Sequence, residues 1–109
     1  MDEEGLLYEK FFFTEPKEKD EAFSLLIYDI VDNKKRNRFA KFMESYGMRV
    51  QKSAFEIRIN KRKFYEMLYR IPAFVSAEDS VKLYKIRGNG EVYCWGNARR
   101  EISEEIVII

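Results

Sequence analysis

Acidic side chains are the residues of this sequence that could carry hydrolytic chemistry. The 109 residues include no histidine and a single cysteine, Cys94, so imidazole-based ribonuclease chemistry and Ser-His or Cys-His triads are excluded within one chain. What remains for cleaving a phosphodiester is a Mg²⁺ ion held by carboxylates, which stabilises phosphate charge and lowers the pKa of a bound water. Asp29 is the best candidate, because it ends an apolar run of strand length. One aspartate supplies too few ligands, however, and from spacing alone a surface or turn carboxylate is the better interpretation.

Positive charge is concentrated in the central part of the chain. Residues 1–22 hold eight acidic and three basic side chains, a net charge of −5, and residues 23–97 hold eight acidic and fifteen basic ones, a net charge of +7. A basic core favours binding to a phosphate backbone, although an ordinary solvated surface has the same composition. Arg36 and Arg38 fit either interpretation, and Asp32 fits a helix cap.

The apolar pattern predicts the elements that must position these residues. Phe23 to Ile30 is a continuous apolar run, which predicts a central strand covered on both faces. Apolar residues at i, i+3, i+4 and i+7 predict two helices, and a period-two stretch lies between them. These residues are Phe39, Phe42, Met43 and Tyr46 in the first helix, 49–60 in the period-two stretch, and Phe64, Met67, Leu68 and Ile71 in the second helix.

The order of the elements predicts the fold class. Residues 80–87 and 91–95 are typical of two further strands, joined by a tight turn at 88–90. Strand, helix, strand pair, helix and strand in this order indicate an α+β fold, the ferredoxin-like βαββαβ sandwich with its helices on one face of an antiparallel sheet. An extra strand is expected at the C-terminus.

Composition bounds the domain organisation. We expect an acidic N-terminal extension over residues 1–21, a ferredoxin-like domain over 22–97, and a tail over 98–109. The apolar end of the tail could add an edge strand to a sheet of the same or of another chain. The lone cysteine lies in an apolar stretch, which indicates a reducing cytoplasm. No apolar run is long enough for a membrane helix. A cytoplasmic protein without a membrane partner is therefore predicted.

Several short motifs lie in a characteristic order between residues 22 and 95. They are Tyr28-Asp29-Ile30, Asp32, Arg36 with Arg38, Gly47, Arg49-Val50-Gln51-Lys52-Ser53-Ala54-Phe55-Glu56, and Glu78-Asp79-Ser80-Val81-Lys82-Leu83-Tyr84. Together these motifs resemble the CRISPR-associated Cas2 family, from which the long N-terminal extension departs. The resemblance implies a ferredoxin-like homodimer in the cytoplasm of a bacterium or archaeon.

The resemblance also implies roles for individual residues. In a Cas2-like homodimer the two copies of Asp29 would face each other across a cleft, act as the catalytic residues and share one Mg²⁺ ion. The residues implied to contact phosphates are Arg36, Arg38 and Arg49, and those implied to support the site are Tyr28, Asp32, Ser53 and Phe55. For Phe55, a core position on an apolar strand face remains the better interpretation.

Two functions follow from the resemblance. The first is support of spacer acquisition, in which the dimer binds duplex DNA for a CRISPR-associated integrase and needs phosphate contacts but no hydrolysis. The second is metal-dependent endonuclease activity on RNA or DNA. We rank spacer acquisition first. The alternatives are a toxin-like ribonuclease of the related fold, a non-catalytic structural DNA-binding dimer, and an interaction module that binds no nucleic acid.

Overall fold

The computed structural model describes residues 21–86, 90–100 and 106–108. In chain order the elements are β1 (Glu21–Asp29), α1 (Asn33–Glu44), β2 (Gly47–Gln51), β3 (Ala54–Asn60), α2 (Lys61–Arg70), a 3₁₀ turn (Ile71–Phe74), β4 (Ser80–Lys85), β5 (Val92–Gly96), a second 3₁₀ turn (Asn97–Arg100) and β6 (Ile106–Ile108). The predicted acidic extension lies outside the described residues except for Glu21, with which β1 begins. Most of the turn predicted at 88–90 also lies outside them.

All six strands of the described residues form one sheet with the order β2-β3-β1-β4-β5-β6. The pairs from β2 to β5 are antiparallel, and β1 is central, paired with β3 and β4. This arrangement confirms the ferredoxin-like fold. The extra C-terminal strand is present, but it pairs parallel with β5, so the sheet is not antiparallel throughout. Parallel pairing requires the chain to cross back between the two strands.

Both helices begin at a side chain that caps them. Asp32 accepts a hydrogen bond from the Lys35 N–H at 2.8 Å, and Asn60 accepts one from the Lys63 N–H at 2.8 Å. Each side chain satisfies a backbone donor that has no partner within the first helical turn. The prediction of Asp32 as a helix cap is therefore confirmed. Neither helix of the described segments has the length and apolar character needed to span a membrane.

The two helices cover only one face of the sheet. Along β1, Leu26 and Tyr28 are buried towards the helices, whereas Leu25 is half-buried and Ile27 is 44% exposed. Side chains alternate between the faces of a strand, so the second set lies on the opposite, open face. The predicted coverage of β1 on both faces is wrong for the single chain. The core between helices and sheet includes Phe39, Met43, Phe55, Ile57, Phe64, Met67 and Leu83.

Candidate functional site

Asp29 is the last residue of β1, where the central strand leaves the sheet. Its backbone pairs with Ser80, the first residue of β4, and its side chain is exposed. By the alternation along β1, Asp29 lies on the same open face as Ile27. Among the described residues, none forms a hydrogen bond or an ion pair with the Asp29 carboxylate. Its oxygens are therefore free to bind a ligand.

A single chain supplies only part of a metal site. In the part of the chain that the structure describes, no three histidine, cysteine, aspartate or glutamate side chains are grouped closely enough to hold an ion. The type of donor nevertheless fits Mg²⁺, which is usually bound through one or two carboxylates and keeps several waters. Asp29 fits such a site as one carboxylate ligand. A further carboxylate would have to come from a second copy of the chain.

A second aspartate holds the backbone around this strand end, and the sequence reasoning assigned it no role. Asp79 precedes β4 and is completely buried. Its carboxylate accepts hydrogen bonds from the Val31 N–H at 2.9 Å and the Ser76 N–H at 2.8 Å. It also forms an ion pair with Lys35 Nζ at 2.7 Å. Asp79 thereby connects the loop that follows Asp29 to α1 and to the loop before β4.

The ionised form of Asp79 is stabilised in spite of burial. Burial by itself would raise its pKa, but the hydrogen bonds from Lys35, Ser76 and Val31 outweigh this effect and hold the pKa below its ordinary value of 3.8. Asp79 is therefore a charged, buried acceptor at neutral pH. With its oxygens occupied, it has a structural role and is not a free metal ligand.

The end of β5 packs against the same aspartate. Gly96 has a φ of +64°, and the N–H of the next residue, Asn97, donates to the Asp79 carbonyl O at 2.5 Å. A Cβ on Gly96 would collide with that carbonyl and would lie 2.8 Å from the carbonyl O of Ser76. Glycine is needed here both for its backbone conformation and for its lack of a side chain.

We expect Gly96→Ala to destabilise the fold by about 3 kcal/mol, the sum of a left-handed backbone and a steric collision. Gly90→Ala is the matched control, because Gly90 has a φ of +70° but a Cβ added to it would meet nothing within 4 Å. It should lose only about 1 kcal/mol. Urea unfolding of both variants measures the difference. Equal losses would contradict the close packing of Gly96 on Asp79.

Arg36 and Arg38 both lie on α1 but in different settings. Arg36 is half-buried, and its guanidinium donates to the Ile30 carbonyl O at 3.0 Å and to Asn33 Oδ1 at 2.6 Å. Arg38 is exposed, and no side chain or backbone group of the described residues pairs with it. Arg38 is therefore free to contact a phosphate. Arg36 holds the loop between β1 and α1 and has only its remaining N–H groups for a ligand.

Arg49, Tyr28, Ser53 and Phe55 come together at the β2 side of the sheet. Arg49 Nη2 donates to Tyr28 Oη at 2.9 Å, and its guanidinium carbon lies 5.7 Å from the centroid of the Phe55 ring. The Tyr28 N–H donates to the Ser53 carbonyl O at 3.0 Å. Phe55 is completely buried, which confirms its interpretation as a core residue. This cluster lies on the helix side of the sheet, opposite the face that carries Asp29.

Comparisons with known proteins match most of the chain to the family that its sequence motifs resemble. The family model described as CRISPR associated protein Cas2 matches residues 22–92. The CRISPR-associated endoribonuclease Cas2 of Mycobacterium tuberculosis is 38% identical over 103 residues, which cover 88% of this chain and 91% of the relative. The CRISPR-associated endoribonuclease Cas2 3 of Synechocystis sp. is 39% identical over 75 residues, 66% of this chain and 82% of the relative.

A solved structure matches as well. The crystal structure of Streptococcus pyogenes Cas2 at pH 6.5 aligns with a TM-score of 0.54 and 25% sequence identity, covering 74% of this chain and 95% of that chain. The family match over 22–92 includes Asp29, the three arginines and Asp79. The free carboxylate and the buried residue that positions its loop therefore both fall inside the region that matches the family.

Proposed function

The chain belongs to the CRISPR-associated protein Cas2 family, and we propose that it acts in a CRISPR system as a homodimeric, Mg²⁺-dependent endonuclease on RNA or DNA. The observation that carries this proposal is the free, exposed Asp29 carboxylate at the end of the central strand. Relatives that bear the name endoribonuclease support the same reaction class. A Mg²⁺ ion supplies charge stabilisation and a more acidic water for hydrolysis of a phosphodiester, and Asp29 offers the oxygen ligand that Mg²⁺ prefers.

The open face of β1 supports dimerisation. Phe23 and Leu25 are half-buried there, and Ile27 is 44% exposed. An apolar stripe along the centre of a sheet is normally covered by another layer. A second copy that packs on this face through a two-fold axis would bury the stripe, and symmetry would place the same residue of each chain on either side of the axis. The Asp29 carboxylates of both copies could then serve one ion.

Different residues of this chain would bind the ion, bind phosphates and position the loop after β1. Asp29 would bind the ion, which when present supplies charge stabilisation for the phosphate and a more acidic water. Arg38 and Arg49 would bind backbone phosphates away from the ion, because both lie on the helix side of the sheet. Asp79 and Arg36 would keep the loop after Asp29 in place, because both hydrogen-bond to its backbone, at Val31 and Ile30. Binding and orientation would therefore come from separate groups.

A basic stripe on α1 favours a second candidate function, the binding of duplex DNA for a CRISPR-associated integrase during spacer acquisition. Lys34, Arg38 and Lys41 are all exposed, and their i, i+4, i+7 spacing places them on one side of the helix. Such a stripe can contact successive phosphates without reading sequence and without hydrolysis. The same dimer would serve both functions, since this stripe does not involve the open face of the sheet.

One experiment separates the two functions. Wild-type protein, shown to be dimeric by sedimentation, is incubated with labelled RNA and duplex DNA in Mg²⁺ or in chelator, and duplex binding is titrated at several salt concentrations. Cleavage that requires Mg²⁺ supports the endonuclease. Absence of cleavage with salt-dependent duplex binding supports the role beside the integrase. A monomer that neither cleaves nor binds would contradict both proposals.

A further inference from the structure

The outer face of α2 carries two exposed tyrosines. Tyr69 is 86% exposed and Tyr65 is 52% exposed. They are four residues apart, so they lie on the same side of the helix with a separation of about 6 Å along its axis. The residues that α2 buries against the sheet, Phe64, Met67 and Leu68, lie on its other side. Two large rings are thus presented next to each other to solvent.

One of the two rings has a fixed setting. Tyr65 packs edge to face against Phe64, with ring centroids 5.4 Å apart and an interplanar angle of 79°. Because Phe64 is a fully buried core residue, this contact limits the rotation of the Tyr65 ring while half of its surface stays exposed. An aromatic face that is already oriented loses little conformational entropy when a planar group stacks on it.

An excess of positive charge lies beside the rings. Lys61, Arg62 and Lys63 form the first turn of α2, and all three are exposed. Arg62 precedes Tyr65 by three residues and Tyr69 by seven, so it shares their side of the helix. Glu66 is the one acidic residue of α2, and its carboxylate accepts a hydrogen bond from Tyr46 Oη at 2.5 Å.

We propose that this face of α2, defined by Lys61, Arg62, Tyr65 and Tyr69, binds single-stranded nucleic acid. Unpaired bases would stack on the two tyrosine rings, and backbone phosphates would contact the two cations. Bases within a duplex are stacked on each other and cannot reach such a surface, so the site selects single strands. It lies on the helix side of the sheet, away from Asp29 and from the open face, and a dimer formed through that face leaves it accessible.

The test is a binding measurement that does not depend on cleavage. The full chain is titrated in chelator with labelled single-stranded RNA and DNA of about 12 nucleotides and with duplex DNA. The double variant Tyr65→Ala, Tyr69→Ala should bind both single strands about 100-fold more weakly, about tenfold for each lost stack. Its affinity for duplex DNA should stay within about twofold of wild type. The matched pair Tyr65→Phe, Tyr69→Phe keeps both rings and should bind like wild type.

The salt dependence of single-strand affinity separates the contribution of the two cations from that of base stacking. Lys61→Gln with Arg62→Gln should flatten the dependence of single-strand affinity on salt by about 1.4 logarithmic units per decade, as expected for two lost phosphate contacts, whereas the alanine pair should leave this slope unchanged. Single-strand affinity that survives in the alanine pair, or an equal loss on duplex DNA, would overturn the proposal. The single variant Tyr69→Ala controls for misfolding of the double variant, because that side chain is 86% exposed and its loss should leave the fold intact. Because the readout is binding, these outcomes are independent of whether Asp29 catalyses cleavage.

Discussion

Asp29→Asn is expected to abolish Mg²⁺-dependent cleavage while leaving dimerisation and stability unchanged. Asparagine keeps the shape of the side chain but removes the negative charge that attracts Mg²⁺. In the proposed dimer one substitution removes both carboxylates, so the rate of cleavage should fall by about 1,000-fold or more, equivalent to about 4 kcal/mol of lost transition-state stabilisation. The free energy of unfolding should stay within about 0.5 kcal/mol of wild type, because Asp29 is exposed and has no partner among the described residues.

Asp32→Asn is the matched control for this variant. Asp32 is also exposed and lies three residues away, but its carboxylate caps α1, and asparagine caps a helix about equally well. Asp32→Asn should therefore retain cleavage and stability. A comparable loss of cleavage in both variants would point to a general effect of charge in this loop and would contradict a specific role for Asp29.

Mixed dimers test whether the two Asp29 side chains share one ion. When wild type and Asp29→Asn are mixed in equal amounts and allowed to exchange subunits, about one quarter of the dimers contain two aspartates. Relative to the same total amount of wild-type protein, a shared site predicts that about one quarter of the activity remains. Independent sites predict that about one half remains. Retention of half the activity would contradict the shared site and leave Asp29 as a ligand within each chain.

The fold was predictable because its core follows simple periodicities. The apolar spacing of Phe39, Phe42, Met43 and Tyr46 marks the buried face of α1, and all four are buried in the core cluster. The direction of β6 was not predictable, because a short apolar segment pairs equally well in either direction and the path of the chain decides. The large apolar side chains of β1 predicted a strand covered on both faces of the sheet, but the single chain covers only one of these faces.

The candidate site was only partly predictable. Asp29 was identified by its place at the end of a strand, which is a local signal. Asp79 was missed as a structural residue because two of its three partners, Val31 and Lys35, are distant in sequence. Val31, from whose N–H it accepts a hydrogen bond, is 48 residues away. No local pattern distinguishes such a buried acceptor from a surface aspartate. The difference between the phosphate-accessible Arg38 and the internally bonded Arg36 likewise depends on contacts that sequence spacing does not reveal.

Asp79→Asn is expected to lower the free energy of unfolding by about 3 kcal/mol at neutral pH. The amide cannot accept hydrogen bonds with both of its terminal atoms, so one of the N–H groups of Val31 and Ser76 loses its partner, and Lys35 loses its counter-ion. Breaking a buried ion pair typically costs about 3 to 5 kcal/mol. The lower end applies here, because the Lys35 side chain keeps 19% of its surface exposed.

The pH dependence of this loss distinguishes lost charge from lost packing. The pKa of Asp79 is lower in the folded chain than its ordinary value of 3.8, so its charge stabilises the fold fully above that value, and this contribution disappears as pH falls through the folded pKa. The difference in unfolding free energy between wild type and Asp79→Asn should therefore be constant near neutral pH and narrow below about pH 4. Denaturant titrations of both proteins at several pH values measure it. A difference that persists unchanged into strong acid would mean that the ion pair with Lys35 contributes nothing, and that Asp79 acts only through the shape of its side chain.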